Sequence, residues 1–445
     1  MLNLLRRFKQ IPTASATTAY LRSSSSIASV APRLFSTTGF TTVPDSTKLE
    51  EENWTRYTPP SFYPVSIGDV LHSKYQVLYK AGYGTTATIW ICRDLQRNEC
   101  VCMKSMVSNY PSVEHEIKVY DVLSTASKTS RSPGKRFVRH ALDHFELRHG
   151  ECDYHFLIHE PLGASLQFFL DEIKVGLPIE YVKDLASQML HALAYIHSAG
   201  VIHTDLQANS ILLHVQDEIV LKDAEEAEIE HPSARKSIGQ KRDHGQGQSQ
   251  PQPQSVVFQT TEHPSPLGRW IGGKSGPVLC DFGEARIGKQ SYTELIQPAA
   301  DRAPEVFLHI PWGSAVDIWS FGCTIWNLLL GENLFPRTWA YTADKDQLAR
   351  MVALLGPPPS SFLDVGPRAL EFFNQDGSPK GEVPSETLES LLASSLERTK
   401  KTMTAEESAA FLAFLRRALT WTPEGRVSAE ELLWDPWIAS RAERW

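Results

Sequence analysis

What the 445-residue chain lacks already narrows its function. Cysteine is scarce. The six (Cys92, Cys100, Cys102, Cys152, Cys280, Cys323) form no CxxC pair, and no histidine cluster has metal-ligand spacing. That pattern reads as reduced, buried thiols in a reducing compartment. No apolar run reaches the roughly 18–20 residues that cross a bilayer, so no membrane span is expected. No internal repeat is present. Excess basic charge is missing too: the net charge of -8 argues against general nucleic-acid binding. Acids are absent from one region only, residues 1–44. There Arg6, Arg7, Lys9, Arg22 and Arg33 give +5, leaving -13 for the remainder. An acidic body suits a basic peptide substrate, and suits plain solubility equally.

Residues 1–44 are rich in Arg, Ser, Thr and Ala. The stretch MLNLLRRFKQI has the makings of a short basic amphipathic helix. Arg33-Leu34-Phe35-Ser36-Thr37-Thr38 resembles the processing site of fungal mitochondrial presequences. The expectation is a transit peptide outside the fold and a mitochondrial location, with cytoplasm or nucleus as the alternative. Residues 45–73 form an N-terminal extension. A second biased stretch, residues 224–277, contains HGQGQSQPQPQSV and few apolar anchors. Such composition predicts a disordered insert.

Between these stretches the periodicity is regular. YQVLYKAGYGTTATIWICRD, from Tyr75, alternates as a hairpin around Gly82 and Gly84. Another strand follows at Cys100–Lys104. Pro111–Leu123 is predicted as a helix, with further strands in 137–147 and 154–159. Beyond Pro161 helical signals dominate, chiefly over 180–197 and 314–330.

Several short motifs fall along this frame. Gly82-Tyr83-Gly84-Thr85-Thr86-Ala87 is a glycine turn whose backbone amides can approach phosphate oxygens. A strand follows it, not a helix, which disfavours a dinucleotide fold. Lys104 lies in an apolar strand, where a lysine is costly unless paired. Glu116 suits it as partner, with Glu114 as competitor. Asp205 follows the long helix and a short strand-like run. Asp281-Phe282-Gly283 ends another apolar strand, a good place for a hard cation's carboxylate ligand. Arg302-Ala303-Pro304-Glu305, Asp317 and Arg426 follow in order.

Together these motifs resemble the eukaryotic protein kinases over roughly residues 63–440. More narrowly they are similar to the SR-protein-specific kinases, particularly fungal ones. Tyr63–Asp69, the His-Thr-Asp-Leu at 203–206, Leu279–Arg286 and Leu354–Pro359 carry that narrower match. The resemblance implies an α+β, two-lobed fold, with a β-rich lobe over 74–162 and a mainly helical lobe over 163–445. It implies ATP and Mg²⁺ as cofactors, a protein substrate of Arg/Ser-rich type, and a monomer. Gly82, Tyr83, Gly84, Ala87 and Ile89 would cover the nucleotide. Lys104 would hold phosphates and pair with Glu116. Glu160 and Leu162 would belong to the hinge that reads the base, behind a His159 gatekeeper. Asp205 would be the general base and Asp281 a Mg²⁺ ligand. Glu305 and Arg426 would form a buried, structural pair, and Asp317 would cap the catalytic-loop backbone.

The loop HTDLQANS departs from the family pattern. Gln207 replaces the lysine that faces the transferring phosphate, removing a full charge where negative charge develops. Ser210 stands at the second Mg²⁺-ligand position, with a shorter side chain. Asp301 occupies a position where relatives carry tyrosine in a substrate-facing loop. Thr204 replaces the usual arginine, so activation-loop phosphate has no partner there. Two readings stay open: a working but weakened serine/threonine kinase, and a pseudokinase that binds nucleotide or a partner.

Overall fold

The computed structural model describes residues 29–55, 57–215, 217–238, 255–261, 276–288, 291–335 and 343–439. The expected basic helix at the N-terminus lies outside these residues.

A six-stranded antiparallel sheet, in the order β1-β2-β3-β4-β6-β5, builds the first lobe. Its strands are β1 (Val70–Leu71), β2 (Tyr75–Tyr83), β3 (Ala87–Asp94), β4 (Glu99–Met106), β5 (Ala141–His149) and β6 (Cys152–His159). Register places Gly82 opposite Ile89, and Ile89 opposite Lys104, so these three residues form one row across the sheet. Helix α1 (Pro111–Thr129) starts with proline at its first turn, where a missing N–H costs nothing. One face of the sheet closes over Val77, Trp90, Met103, Phe145 and Phe156.

The second lobe is helical and holds the larger core. Helix α2 (Leu166–Ile173) is capped by Ser165, whose hydroxyl accepts from the Phe168 amide. Helix α3 (Ile179–Ser198) leads through β8 (Val201–Ile202) into the loop at 203–210. A small sheet of β7 (Leu162–Ser165), β9 (Ile211–His214) and β12 (Pro277–Leu279) fixes the far end of that loop and the start of the Asp281 segment. Strand β13 (Arg286–Ile287) pairs back onto β8. Helix α6 (Ala315–Leu330) is almost entirely buried. It ends at Gly331, which has φ +74, and a Cβ there would sit 2.7 Å from the Gly176 amide nitrogen. Glycine is therefore required for both backbone and space. Between β13 and α6 lies the short α5 (Pro304–Phe307).

Two expectations need correction. The stretch 224–277 is not wholly disordered. Residues 219–230 form helix α4, and residues 235–238 and 255–258 pair as the antiparallel hairpin β10–β11. Ala224 packs with Leu78, Tyr79 and Ile91 of the sheet, while Phe258 joins the sheet core and meets the Trp90 ring edge-on at 5.7 Å. Residues 239–254 and 262–275, which include the Gln-Pro run, lie outside the described residues.

Nor do residues 29–44 stand outside the fold. The Val30 amide donates to the Leu95 carbonyl, and the Arg33 amide donates to Gln76 Oε1 at 2.8 Å. The Arg33 guanidinium lies 3.0 Å from the buried Glu225, and Thr42 bridges to Arg235. Residues 50–53 complete this brace. Lys80, with 0% exposure, reaches Glu51 at 2.5 Å, Glu50 at 2.8 Å and the Phe258 carbonyl at 2.7 Å. Lys236 pairs with Glu52 at 2.9 Å. Buried ion pairs, not long apolar runs, attach both segments to the sheet.

Candidate active site

The cleft between the lobes is assembled from four places in the sequence. From the sheet, Lys104 donates to both Glu116 oxygens, at 2.7 and 2.8 Å. Glu116 is 2% exposed on α1; Glu114, the competitor, is exposed and takes Lys118 at 3.8 Å instead. Lys104 also lies 3.7 Å from Asp281 Oδ1. Burial pulls the ammonium down, but Glu116 and then Asp281 outweigh it and hold its pKa above the usual value. Across the sheet, the Gly84 amide donates to the Ala87 carbonyl at 2.8 Å and closes the glycine turn. A Cβ on Gly82 would meet nothing within 4 Å, so this glycine is not demanded by packing. Tyr83 is exposed at the tip, and Ala87 is buried.

The loop at 203–210 hangs from Asp317 on α6. Its Oδ2 accepts from the His203 amide and its Oδ1 from the Thr204 amide, each at 2.8 Å, while His197 Nε2 bonds Oδ2 at 2.8 Å. Burial pushes this carboxyl up, yet His197, His203 and the amides hold it below its usual range. Thr204 takes φ +64, an outlier for a β-branched residue. Its hydroxyl donates to the Glu284 carbonyl at 2.6 Å, which helps hold the strained backbone. His203 is buried, bonds the Cys280 carbonyl through Nε2 at 2.9 Å, and packs on Phe282.

Asp205 projects into the cleft. Its carboxyl is pushed up to about 7, first by burial, then by the negative charges of Asp281, Asp301 and Glu284. Gln207 opposes this weakly: its Nε2 donates to Asp205 Oδ1 at 3.0 Å. Asp281 takes φ +64, and Lys104 holds its carboxyl below the usual range. Asp281 is exposed to the cleft, with oxygen lone pairs that suit a hard cation. Among the described residues no group of three or more His, Cys, Asp or Glu converges as a metal cage.

Ser210 is placed otherwise than expected. It is 4% exposed; its hydroxyl donates to the Gln207 carbonyl at 2.9 Å and accepts from the Gln207 amide at 3.0 Å. The hydroxyl closes its own turn and so serves the loop backbone. Asn209 is turned away and accepts from Ser165 Oγ at 3.3 Å. Asp301 is not substrate-facing either. It is 7% exposed, and its charge acts on Asp205.

At the hinge, His159 is buried and its Nδ1 lies 3.0 Å from the His140 carbonyl. Burial, then the nearby Arg139, keep it neutral. Leu162 begins β7, paired with His214. The Glu160 side chain is exposed, but its carbonyl accepts from Arg139 Nη2 at 3.4 Å. Sequence reasoning missed Arg139; a lone arginine just before the strand Ala141–His149 was its only signal. Beneath the cleft, Arg426 and Glu305 form a bidentate pair, 2.5 and 2.6 Å, with both side chains at 0% exposure.

This is the lysine–glutamate, HxD and DFG geometry of one enzyme family, and comparison with known proteins agrees. The protein kinase domain family matches residues 75–238 and 273–438. The chain belongs to the protein kinase family. A serine/threonine protein kinase of Aspergillus fumigatus is 35% identical over 416 residues, covering 92% of this chain and 96% of that relative. The serine/threonine-protein kinase SRPK of Physarum polycephalum is 28% identical, covering 88% and 92%. SRSF protein kinase 3 of the mouse is 25% identical, covering 87% and 90%. A solved kinase domain superposes with TM-score 0.59 at 22% identity over 85% of this chain and 99% of its own, which supports the two-lobed fold. The chain is thus a serine/threonine protein kinase of the kind whose relatives include the SRPK group.

Proposed function

We propose that this kinase transfers the γ-phosphate of ATP to serine in Arg-Ser-type protein segments. The observation that carries the reading is the convergence of Lys104–Glu116, Asp281 and Asp205 on one cleft. Lys104 would position nucleotide phosphates, and Glu116 would hold Lys104 in place. Bound Mg²⁺ would neutralise phosphate charge, with Asp281 as its carboxylate. Asp205 would orient the substrate hydroxyl and take its proton. The preference for Arg-Ser segments rests on the SRPK-type relatives and on the acidic body of the chain. A monomer is the oligomeric state proposed. Among the described residues no helix is long and apolar enough to cross a membrane.

Gln207 and Ser210 favour a second reading, a nucleotide-binding pseudokinase. Gln207 gives Asp205 an uncharged donor in place of a cation, and the Ser210 hydroxyl is used within the turn. Thermal stabilisation by ATP with and without Mg²⁺, followed by phosphate transfer to an Arg-Ser peptide, separates the two. Mg²⁺-dependent stabilisation without transfer would leave only the pseudokinase. Mitochondrial import is the proposed location, carried by the acid-free basic N-terminus. A uniformly cytosolic signal from the tagged full-length protein would end it.

A further inference from the structure

Helix α1 brings Glu116 to the cleft, and the segment beginning at Asp281 brings a second carboxylate there from the other lobe. Lys104 meets both, Glu116 at 2.7 Å and Asp281 at 3.7 Å. Two contacts join helix to segment. One is apolar: the Tyr120 ring meets the Phe282 ring edge-on at 5.7 Å. The other is a directed bond, in which His115 Nε2 lies 2.5 Å from the Ala285 carbonyl oxygen. A carbonyl oxygen only accepts, so Nε2 carries the proton and donates. His115 precedes Glu116 by one residue, about 100° round the helix. Glu116 can therefore face Lys104 while His115 faces the segment.

Ala285 is well placed to transmit this contact. It is 0% exposed, and its amide donates to the Phe282 carbonyl at 3.1 Å, closing a turn just after Asp281. The preceding carbonyl, of Glu284, accepts the Thr204 hydroxyl at 2.6 Å. Consecutive carbonyls thus tie the segment to α1 and to the catalytic loop, through the immediate chain neighbours of Glu116 and Asp205. The far end of α1 is held separately, where the Tyr195 hydroxyl donates to the Leu123 carbonyl at 2.9 Å. That bond leaves the Glu116 end to be fixed by His115.

We propose that His115 is a positioning residue, which latches α1 to the Asp281 segment through the Ala285 carbonyl so that Glu116 and Asp281 reach Lys104 together. This rests on the reading of the cleft as a phosphoryl-transfer site. When the latch opens, the Glu116 end of α1 swings from Lys104, and the ammonium loses the partner that aims it. His115 acts through Glu116 and Asp281 and does no chemistry of its own.

The test uses the full chain with His115→Leu, which has no donor, and His115→Gln, which restores one. Leucine and glutamine are both good helix formers, so α1 itself is kept. Hydrogen–deuterium exchange should quicken about fivefold or more in His115→Leu, the contribution of one hydrogen bond, in peptides covering 111–120 and 281–288. Strands β2–β4 and helix α6 should exchange as in wild type, and His115→Gln should stay close to wild type throughout. With ATP and an Arg-Ser peptide, kcat should fall by a similar factor in His115→Leu, the KM for peptide should hold, and His115→Gln should recover most of the loss. A merely structural histidine would raise exchange across both lobes and would overturn the latch. Unchanged exchange in the two segments would overturn it as well, and so would faster exchange there with unchanged kcat. A wild type that transfers no phosphate would reject the kinase reading, while the exchange patterns of the three proteins would still decide whether His115 joins α1 to the segment.

Discussion

The Gln207 amide donates to Asp205 Oδ1 at 3.0 Å, so the residue that should be a cation near the transferred phosphate is tied to the general base. An amide brings a hydrogen bond without a net charge. Replacing it with Gln207→Lys should both lower the Asp205 pKa and restore charge stabilisation. Peptide phosphorylation should rise by about tenfold or more, since a single such donor is worth roughly 10²–10³ in turnover elsewhere. Adding Ser210→Asn should raise it further. Steady-state kinetics on an Arg-Ser peptide decide it: no gain from any starting level means the loop has been retired.

Asp205 also sets a pH dependence. With its carboxyl pushed up to about 7 by burial and by Asp281, the base is largely protonated below neutrality. The kcat/KM profile, which reports the free enzyme, should climb between pH 6 and 8. Gln207→Lys should move that rise to lower pH. Stability should run in the opposite direction. A raised carboxyl pKa means that the native state holds a proton the unfolded chain has released. Its contribution is present below the ordinary value of 3.8 and is lost as pH rises through about 7. Asp205→Asn removes this loss, so its melting temperature should exceed wild type at pH 8 and match it near pH 4.

Glu305→Ala leaves Arg426 buried and unpaired below the activation segment. A cost of about 3–5 kcal/mol is expected in denaturant unfolding, because the surviving charge has no solvent. Glu305→Gln, which retains shape and one acceptor, should cost less.

The brace behind the sheet makes a fourth prediction. Lys80 joins Glu50 and Glu51 of the N-terminal segment to the Phe258 carbonyl of the hairpin. Lys80→Met should strip the counter-ion from Glu51, whose pKa burial already raises, and lower stability by about 3–5 kcal/mol. Deleting residues 1–53 should destabilise comparably. An unchanged melting temperature in both would mean that these segments do not hold the lobe.

The catalytic frame was legible because it is carried by local chemistry. A lysine in an apolar strand needs a partner, and the helix beginning at Pro111 offers Glu116 one face away. Asp281 and Asp205 each follow a strand whose register the sequence pattern sets. The brace was not legible. Its anchors are single residues such as Ala224, Phe258 and Phe35, spread through polar stretches and joined by long-range ion pairs. Composition averages those anchors away. The Ser210 turn was not legible for a related reason: spacing fixes its position in the loop, but which way its hydroxyl turns depends on the Gln207 backbone. Arg139 was missed because its meaning lies in what surrounds it, two thiols and a carbonyl from three other segments.

The central claim is that Asp205 works as a base in a phosphoryl-transferring cleft. Its most direct test is Mg²⁺-dependent transfer of labelled phosphate from ATP to an Arg-Ser peptide by wild type and Asp205→Asn. Wild type should transfer phosphate, and the variant should lose at least a hundredfold while retaining nucleotide binding. Equal turnover by both proteins, or none by wild type, would contradict it.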